Sequence, residues 1–273
     1  MGVAEPGFDE AVQEFLHAYA VPRRLRDPRI ADRLSTVEPT VVPTRWGDLS
    51  AWRLGSGPAV LLVHGWEDDN SLWSPLIDEL DQRGRALVAF DLPGHGVSGG
   101  DWGVSFEGSD GIVAVSDVLG PIDAVVAHSA GCGYTAGAVG EGWAVARAAF
   151  ISPPLTAGDR WQRYAQKLGV SEEVAFAAQA IYDAAHGPAR AAWHPRTAYP
   201  ALDVDLLVVQ SRDDERNSVT DAQEVIPLKP RARLVLVDGL THRRAARDPD
   251  VINLVADFVA PDETRTAAAS KPS

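Results

Sequence analysis

The run Ala127-His128-Ser129-Ala130-Gly131 follows the apolar stretch Ile122-Asp123-Ala124-Val125-Val126, which sets a serine among small residues where a buried strand should turn into a helix. A serine on such a turn holds its hydroxyl clear of the backbone, and small neighbours let the chain pass closely around it. The pattern reads as a nucleophile elbow. Its first position is Ala127 instead of the usual glycine, the mildest replacement where bulk is not tolerated. A serine hydroxyl is a poor nucleophile at neutral pH, so it requires a general base within hydrogen-bond reach, and that base requires a partner fixing its tautomer. Ser129, Asp214 and His242 occur along the chain in the order nucleophile, acid, base. Asp213 competes with Asp214 as the acid, and motif spacing favours Asp214.

These residues need a frame that brings them together. Short apolar runs recur at Ala59 to Val63, Ala86 to Phe90, Ile122 to Val126, Val145 to Ile151, Leu206 to Gln210 and Arg233 to Val237, separated by segments able to hold helices. That alternation predicts βαβ units and a mostly parallel sheet, whose strands are apolar throughout because helices cover both faces. Thr40 to Thr44 and Leu49 to Leu54, joined at Trp46-Gly47-Asp48, read as an antiparallel edge hairpin. Phe8 to Tyr19 carries apolar residues at helical spacing outside this sheet, and Asp250 to Val259 reads as a closing helix with an acidic first turn. The interval from Ser152 to Val204 departs from the rhythm and includes helix-like Glu172 to Ala185. It reads as an inserted helical lid, with Pro153-Pro154 and Pro195 to Pro200 as stiff hinges.

In open parallel sheets, catalytic groups gather at the carboxyl ends of the strands. The strand ends here carry His64-Gly65-Trp66, Phe90-Asp91-Leu92-Pro93-Gly94-His95-Gly96-Val97-Ser98, His128-Ser129-Ala130, Ser211-Arg212-Asp213-Asp214 and Gly239-Leu240-Thr241-His242. Taken in order, these segments resemble those of the α/β-hydrolase fold superfamily, of the serine esterase and lipase type, from about residue 40 to residue 260. The resemblance implies an α/β fold: a twisted, mostly parallel sheet with helices on both faces and a helical lid insertion. It divides the chain into an N-terminal helical extension (1–40), a core (41–153 and 201–260), a lid (154–200) and a disordered tail (261–273). It further implies catalysis by Ser129, Asp214 and His242, with an oxyanion hole formed by the backbone N–H groups of Trp66 and Ala130.

The expected activity is hydrolysis of a carboxylic ester through an acyl-enzyme, without cofactor or metal. The same residues also suit cleavage of a C–C bond, thioester or amide, acyl transfer, or a low-turnover ligand-binding receptor. Trp161, Tyr164, Phe176, Tyr182 and Trp193 suggest an apolar underside of the lid for a small hydrophobic substrate, although helix packing explains them too. His64, His95 and His128 read as structural. The acidic run Glu67-Asp68-Asp69-Asn70 either faces the pocket, opposing negative acyl groups, or consists of solvated helix-capping acids, and capping is the favoured reading. Glu215 to Val219 departs from the family pattern after the acid, which implies a differently shaped loop.

Composition sets the remaining bounds. A length of 273 residues suits one large domain. A formal charge of −13 opposes nucleic acid and anionic membranes as partners. The single cysteine, Cys132, agrees with a reducing compartment, and the acidic start Met1 to Pro6 is unlike a signal peptide, so a cytoplasmic address is expected. No apolar run approaches the roughly 20 residues of a membrane span. Oligomeric state, acyl length and alcohol identity are not encoded in any recognisable motif.

Overall fold

The computed structural model describes residues 7–24, 33–101, 105–155, 160–186 and 194–261. An eight-stranded sheet has the order β1-β2-β4-β3-β5-β6-β7-β8. The strands are β1 (Thr40–Val42), β2 (Leu49–Leu54), β3 (Ala59–Val63), β4 (Ala86–Phe90), β5 (Ile122–His128), β6 (Arg147–Ile151), β7 (Asp205–Ser211) and β8 (Ala232–Val237). The hairpin β1-β2 joins β4 antiparallel, and every pairing from β4 through β8 is parallel. The edge hairpin and the parallel core expected from the sequence are both present.

The helices are α1 (Phe8–Ala20), α2 (Ser74–Gln82), α3 (Ser105–Leu119), α4 (Ala130–Gly140), α5 (Arg160–Leu168), α6 (Glu172–His186), α7 (Pro195–Ala201), α8 (Val219–Val225) and α9 (Pro249–Val259). Successive strand residues point to opposite faces, and here both faces are dry. Leu61, Val63, Val88, Phe90, Val125 and Phe150 face α3, α4, α7 and α8. Their neighbours Val60, Leu62, Leu87, Ala89, Val126 and Ile151 face α2 and α9. Continuous apolar runs are therefore what this sheet requires, because no strand position in its centre meets water. Among the described residues, no helix is long and apolar enough to cross a membrane.

The chain leaves β3 through α2 on one face and leaves β5 through α4 on the other. Because β3 and β5 are neighbours, their carboxyl ends flank a switch point of the sheet, the place where open α/β sheets bind their ligands.

A third apolar cluster lies apart from the sheet. Val12, Phe15 and Leu16 of α1 pack with Trp161 and Ala165 of α5 and with Val174, Ala178 and Tyr182 of α6. Tyr19 stacks on Trp161 at a centroid distance of 3.7 Å, and the Tyr164 hydroxyl donates to Ala18 O at 2.7 Å. The leading helix thus joins the inserted helices instead of standing alone. Pro195 to Pro200, read from the sequence as a stiff hinge, is helical. His194 Nδ1 accepts from Arg196 N at 3.2 Å as an N-cap, Pro195 occupies the first turn where its missing N–H costs nothing, and the segment coils into α7. Tyr199 of α7 is buried on the sheet core against Phe150. The tail expected to be disordered lies almost wholly outside the described residues.

Candidate active site

Ser129 occupies the single residue between the end of β5 and the start of α4. Its φ of 52° and ψ of −123° lie where residues bearing a Cβ seldom go, a strain of about 1–3 kcal/mol that the surroundings must offset. They do so by hydrogen bonds from Ser129 N to Ile151 O and from Cys132 N to Ser129 O, each 3.0 Å. Ala127 is ordinary strand, in register with Val63 and Phe150, so glycine is not required there. Gly131 is different: a Cβ on it would lie 2.5 Å from His64 O and 2.6 Å from Val63 O. Gly131→Ala should therefore push α4 off β3 and lower stability by about 1–3 kcal/mol, as overpacking does, with a loss of turnover as Ser129 shifts. Urea unfolding with a parallel assay checks this, and an unchanged midpoint would contradict it.

His242 Nε2 is 2.8 Å from Ser129 Oγ, and His242 Nδ1 lies 2.9 and 3.0 Å from the two carboxylate oxygens of Asp214. A carboxylate only accepts, so Nδ1 carries the proton and the Nε2 lone pair receives the Ser129 hydroxyl. Burial works against a charged Asp214. Hydrogen bonds from His242, Asn217 N (3.0 Å) and Arg216 N (2.9 Å) outweigh it and hold the carboxyl well below the usual carboxylate range. Gln210 Nε2 adds a longer bond at 3.3 Å. In the loop after the acid, Asn217 also reaches Ser152 O at 2.7 Å, and Ser218 caps α8.

Asp213 points elsewhere and accepts from Gly239 N at 2.6 Å. It fixes the start of the loop that carries His242. Glu215 accepts from His242 N at 3.0 Å, and His128 Nε2 donates to His242 O at 3.1 Å. Arg243 pairs with the buried Asp68 at 2.7 Å. The backbone around His242 is thereby held by side chains from the ends of β3, β5 and β7. Gln210, Asn217, Glu215 and the Asp68–Arg243 pair carry no sequence motif, and only proximity in the fold reveals them.

Trp66 lies in the turn that follows β3, and Ala130 is the first residue of α4. Among the described residues, neither backbone N–H donates to a protein acceptor. Gly65 is forced by closeness, since a Cβ there would lie 2.9 Å from Ser129 Cβ. His64 braces the same region, donating from Nδ1 to Gly65 O at 2.8 Å and accepting Leu92 N on Nε2 at 3.0 Å. Burial pushes its pKa down to about 4, and pushes those of His95 and His128 down to about 3, so all three are neutral at pH 7. Asp91 is buried beneath, accepting from Asn70 N, Asn70 Nδ2 and Val97 N, and burial raises it to about 6.

The acidic run fits neither expected reading as a whole. Glu67 pairs with Arg23, Asp68 with Arg243, and Asp69 caps the short turn Asn70–Trp73 by accepting from Ser71 N at 2.9 Å. Asp68 and Asp69 are buried, so only Asp69 caps and neither is solvated. The aromatic residues of the insertion also differ from a substrate-facing lining. Trp161 and Tyr182 pack against α1, Tyr164 bonds Ala18, and Phe176 is 55% exposed. Trp193 lies outside the described residues. Among the described residues, no group of three metal-ligating side chains is placed to hold an ion.

A family model described as alpha/beta hydrolase family matches residues 60–254. The chain is 39% identical over 59 residues to a serine hydrolase-like protein of Danio rerio, spanning 21% of this chain and 18% of that protein. It is 43% identical over 44 residues to the pimeloyl-acyl-carrier-protein methyl ester esterase of Nitrosomonas europaea, spanning 16% of this chain and 17% of that one. The chain therefore spans less than a fifth of the length of either relative. Among solved structures, the esterase Pf2001 of Pyrococcus furiosus shares the fold with a TM-score of 0.65 at 19% identity, over 87% of this chain and 95% of its own. The family match runs from β3 into α9 and contains Ser129, Asp214 and His242. The chain belongs to the alpha/beta hydrolase family.

Proposed function

We propose that this protein hydrolyses a carboxylic ester, with Ser129 as nucleophile, His242 as general base and acid, and Asp214 as its orienting partner. The observation that carries this reading is His242 bridging Ser129 Oγ at 2.8 Å and the Asp214 carboxylate at 2.9 Å. As Ser129 Oγ bonds to the carbonyl carbon, its proton passes to His242 Nε2 and the carbonyl oxygen becomes an oxyanion. The N–H groups of Trp66 and Ala130 receive that charge, and each such donor contributes on the order of 10²–10³ in turnover. His242 returns the proton to the departing alcohol, leaving an acyl-serine. Water then donates a proton to His242, attacks the acyl carbon and releases the acid as Ser129 regains its hydrogen. Asp214 stays ionised throughout, because its hydrogen bonds hold its pKa far below neutrality.

The name of the Nitrosomonas europaea relative, a methyl ester esterase, supports an ester as the class of substrate. A panel of esters of graded acyl length, with one thioester and one amide, tests the reading. Turnover of esters above the other two classes is expected, with all of it lost in Ser129→Ala. Faster turnover of the thioester or amide would overturn the substrate class, and equal rates for wild type and Ser129→Ala would overturn the mechanism.

A further inference from the structure

The family match begins at residue 60, so α1 and the two arginines that follow it lie outside the shared region. Each arginine grips one loop at the site's edge. Arg23 donates to Glu67 Oε1 from its backbone N (3.2 Å) and Nε (2.8 Å), and to Oε2 from Nη2 (2.6 Å). Arg24 donates to Gly96 O at 3.4 Å, to Ser98 O and to Gly100 O at 2.7 Å, on the loop after β4.

Glu67 occupies a demanding place. Asp68 N donates to Gly65 O at 3.3 Å and closes the turn Gly65-Trp66-Glu67-Asp68. Glu67 is third in this turn with a φ of 56°, where β-turns of positive φ ordinarily take glycine. A side chain with a Cβ resists this conformation, so something must hold it there. The second residue of the turn is Trp66, whose side chain packs against the α1, α5 and α6 cluster and stands edge-on to His95 at 5.3 Å. The turn is thus tied to the N-terminal segment twice, to the α1 cluster by the Trp66 ring and to Arg23, just after α1, by the Glu67 carboxylate.

We infer that Arg23 is a positioning residue: by clamping Glu67 in its left-handed conformation, it fixes the turn that presents the Trp66 N–H to the developing oxyanion. The inference rests on the Ser129 acyl-transfer reading. Arg23 touches no reacting atom, and its effect should fall on turnover instead of substrate binding.

The test compares Arg23→Ala, Arg23→Lys, Glu67→Gly and the double variant Arg23→Ala/Glu67→Gly. For each, kcat and KM are measured on the ester that wild type turns over best, together with amide hydrogen exchange over residues 65–70. Arg23→Ala should lower kcat about tenfold with KM within about twofold, the pattern of a misplaced transition-state contact, and should speed exchange in the turn. Arg23→Lys should recover part of this, because an ammonium supplies the charge without the two-pronged fork. Glycine needs no clamp at positive φ, so Glu67→Gly should keep most of the activity, and adding Arg23→Ala to it should change little. An unchanged kcat in Arg23→Ala, or an equal loss with and without Glu67→Gly, would overturn the inference. If wild type turned over no ester through Ser129, the acyl-transfer reading and the catalytic consequence of the clamp would fall together. Exchange over residues 65–70 would still decide the clamp itself, and unchanged exchange in Arg23→Ala would overturn it independently.

Discussion

Ser129→Ala is expected to lower kcat by about 10⁴-fold or more, leaving only what the oxyanion donors and substrate binding contribute alone. Among the described residues, Ser129 Oγ is the hydroxyl on His242 Nε2, so its loss leaves the base with no proton to take and the carbonyl with no attacking oxygen. Asp214→Asn should cost about 10³- to 10⁴-fold for a different reason. An amide can turn its N–H₂ toward His242 Nδ1, which moves the imidazole proton to Nε2 and makes it a donor to Ser129. The N–H groups of Arg216 and Asn217 now converge on a carboxylate oxygen, and they would hold the amide oxygen in its place, reinforcing the wrong tautomer. Asp213→Asn should cost little turnover, since that side chain meets Gly239 N and not the imidazole. Steady-state kinetics of the three variants checks the ranking, and similar losses from Asp213→Asn and Asp214→Asn would contradict it.

Acid should unfold this protein through its buried histidines. His64, His95 and His128 have folded pKa values of about 4, 3 and 3, each lowered from 6.5 chiefly by burial. As pH falls below 6.5 the unfolded chain takes up three protons that the folded chain refuses until about pH 4, so stability drops with falling pH. Each contributes about 1.4 kcal/mol per pH unit. Asp91, raised by burial to about 6, has the opposite sign, because between pH 6 and 3.8 the folded state holds a proton that the unfolded state has released. Asp68 is raised in the same direction. Three histidine protons against at most two carboxyl protons leave a net loss toward acid of about 1.4 kcal/mol per pH unit or more once the unfolded histidines are protonated, between about pH 6 and pH 5, which is large beside a typical total of about 5–15 kcal/mol. The expected result is a Tm that falls steadily from pH 7 to pH 4.5, with a shallower slope in His95→Phe. A flat Tm over that interval would show that these histidines are not buried neutral.

The residues proposed to bear the chemistry were legible in the sequence because motif and chain order constrain them jointly. Ser129 follows an apolar run, and Asp214 and His242 follow β7 and β8, parallel strands whose carboxyl ends lie along the same edge of the sheet as that of β5. Motif spacing favours Asp214 over Asp213, but adjacent carboxylates in one loop differ in direction, which only the fold supplies: here one faces Gly239 and the other His242. The aromatic residues of the insertion were legible as apolar but not as to their neighbour. Their partner is α1, far away in sequence, and no local pattern encodes that packing. For the same reason Glu67 reads in the sequence as a pocket-facing or helix-capping acid, whereas the fold sets Arg23 beside it.

The most direct measurement is mass spectrometry of the folded protein after reaction with a fluorophosphonate, a phosphorus electrophile that only an activated nucleophile attacks at neutral pH. One adduct per chain is expected, on the peptide containing Ser129, absent in Ser129→Ala and formed far more slowly in His242→Ala. An adduct on another residue, or none on the folded wild-type chain, would contradict Ser129 as the nucleophile.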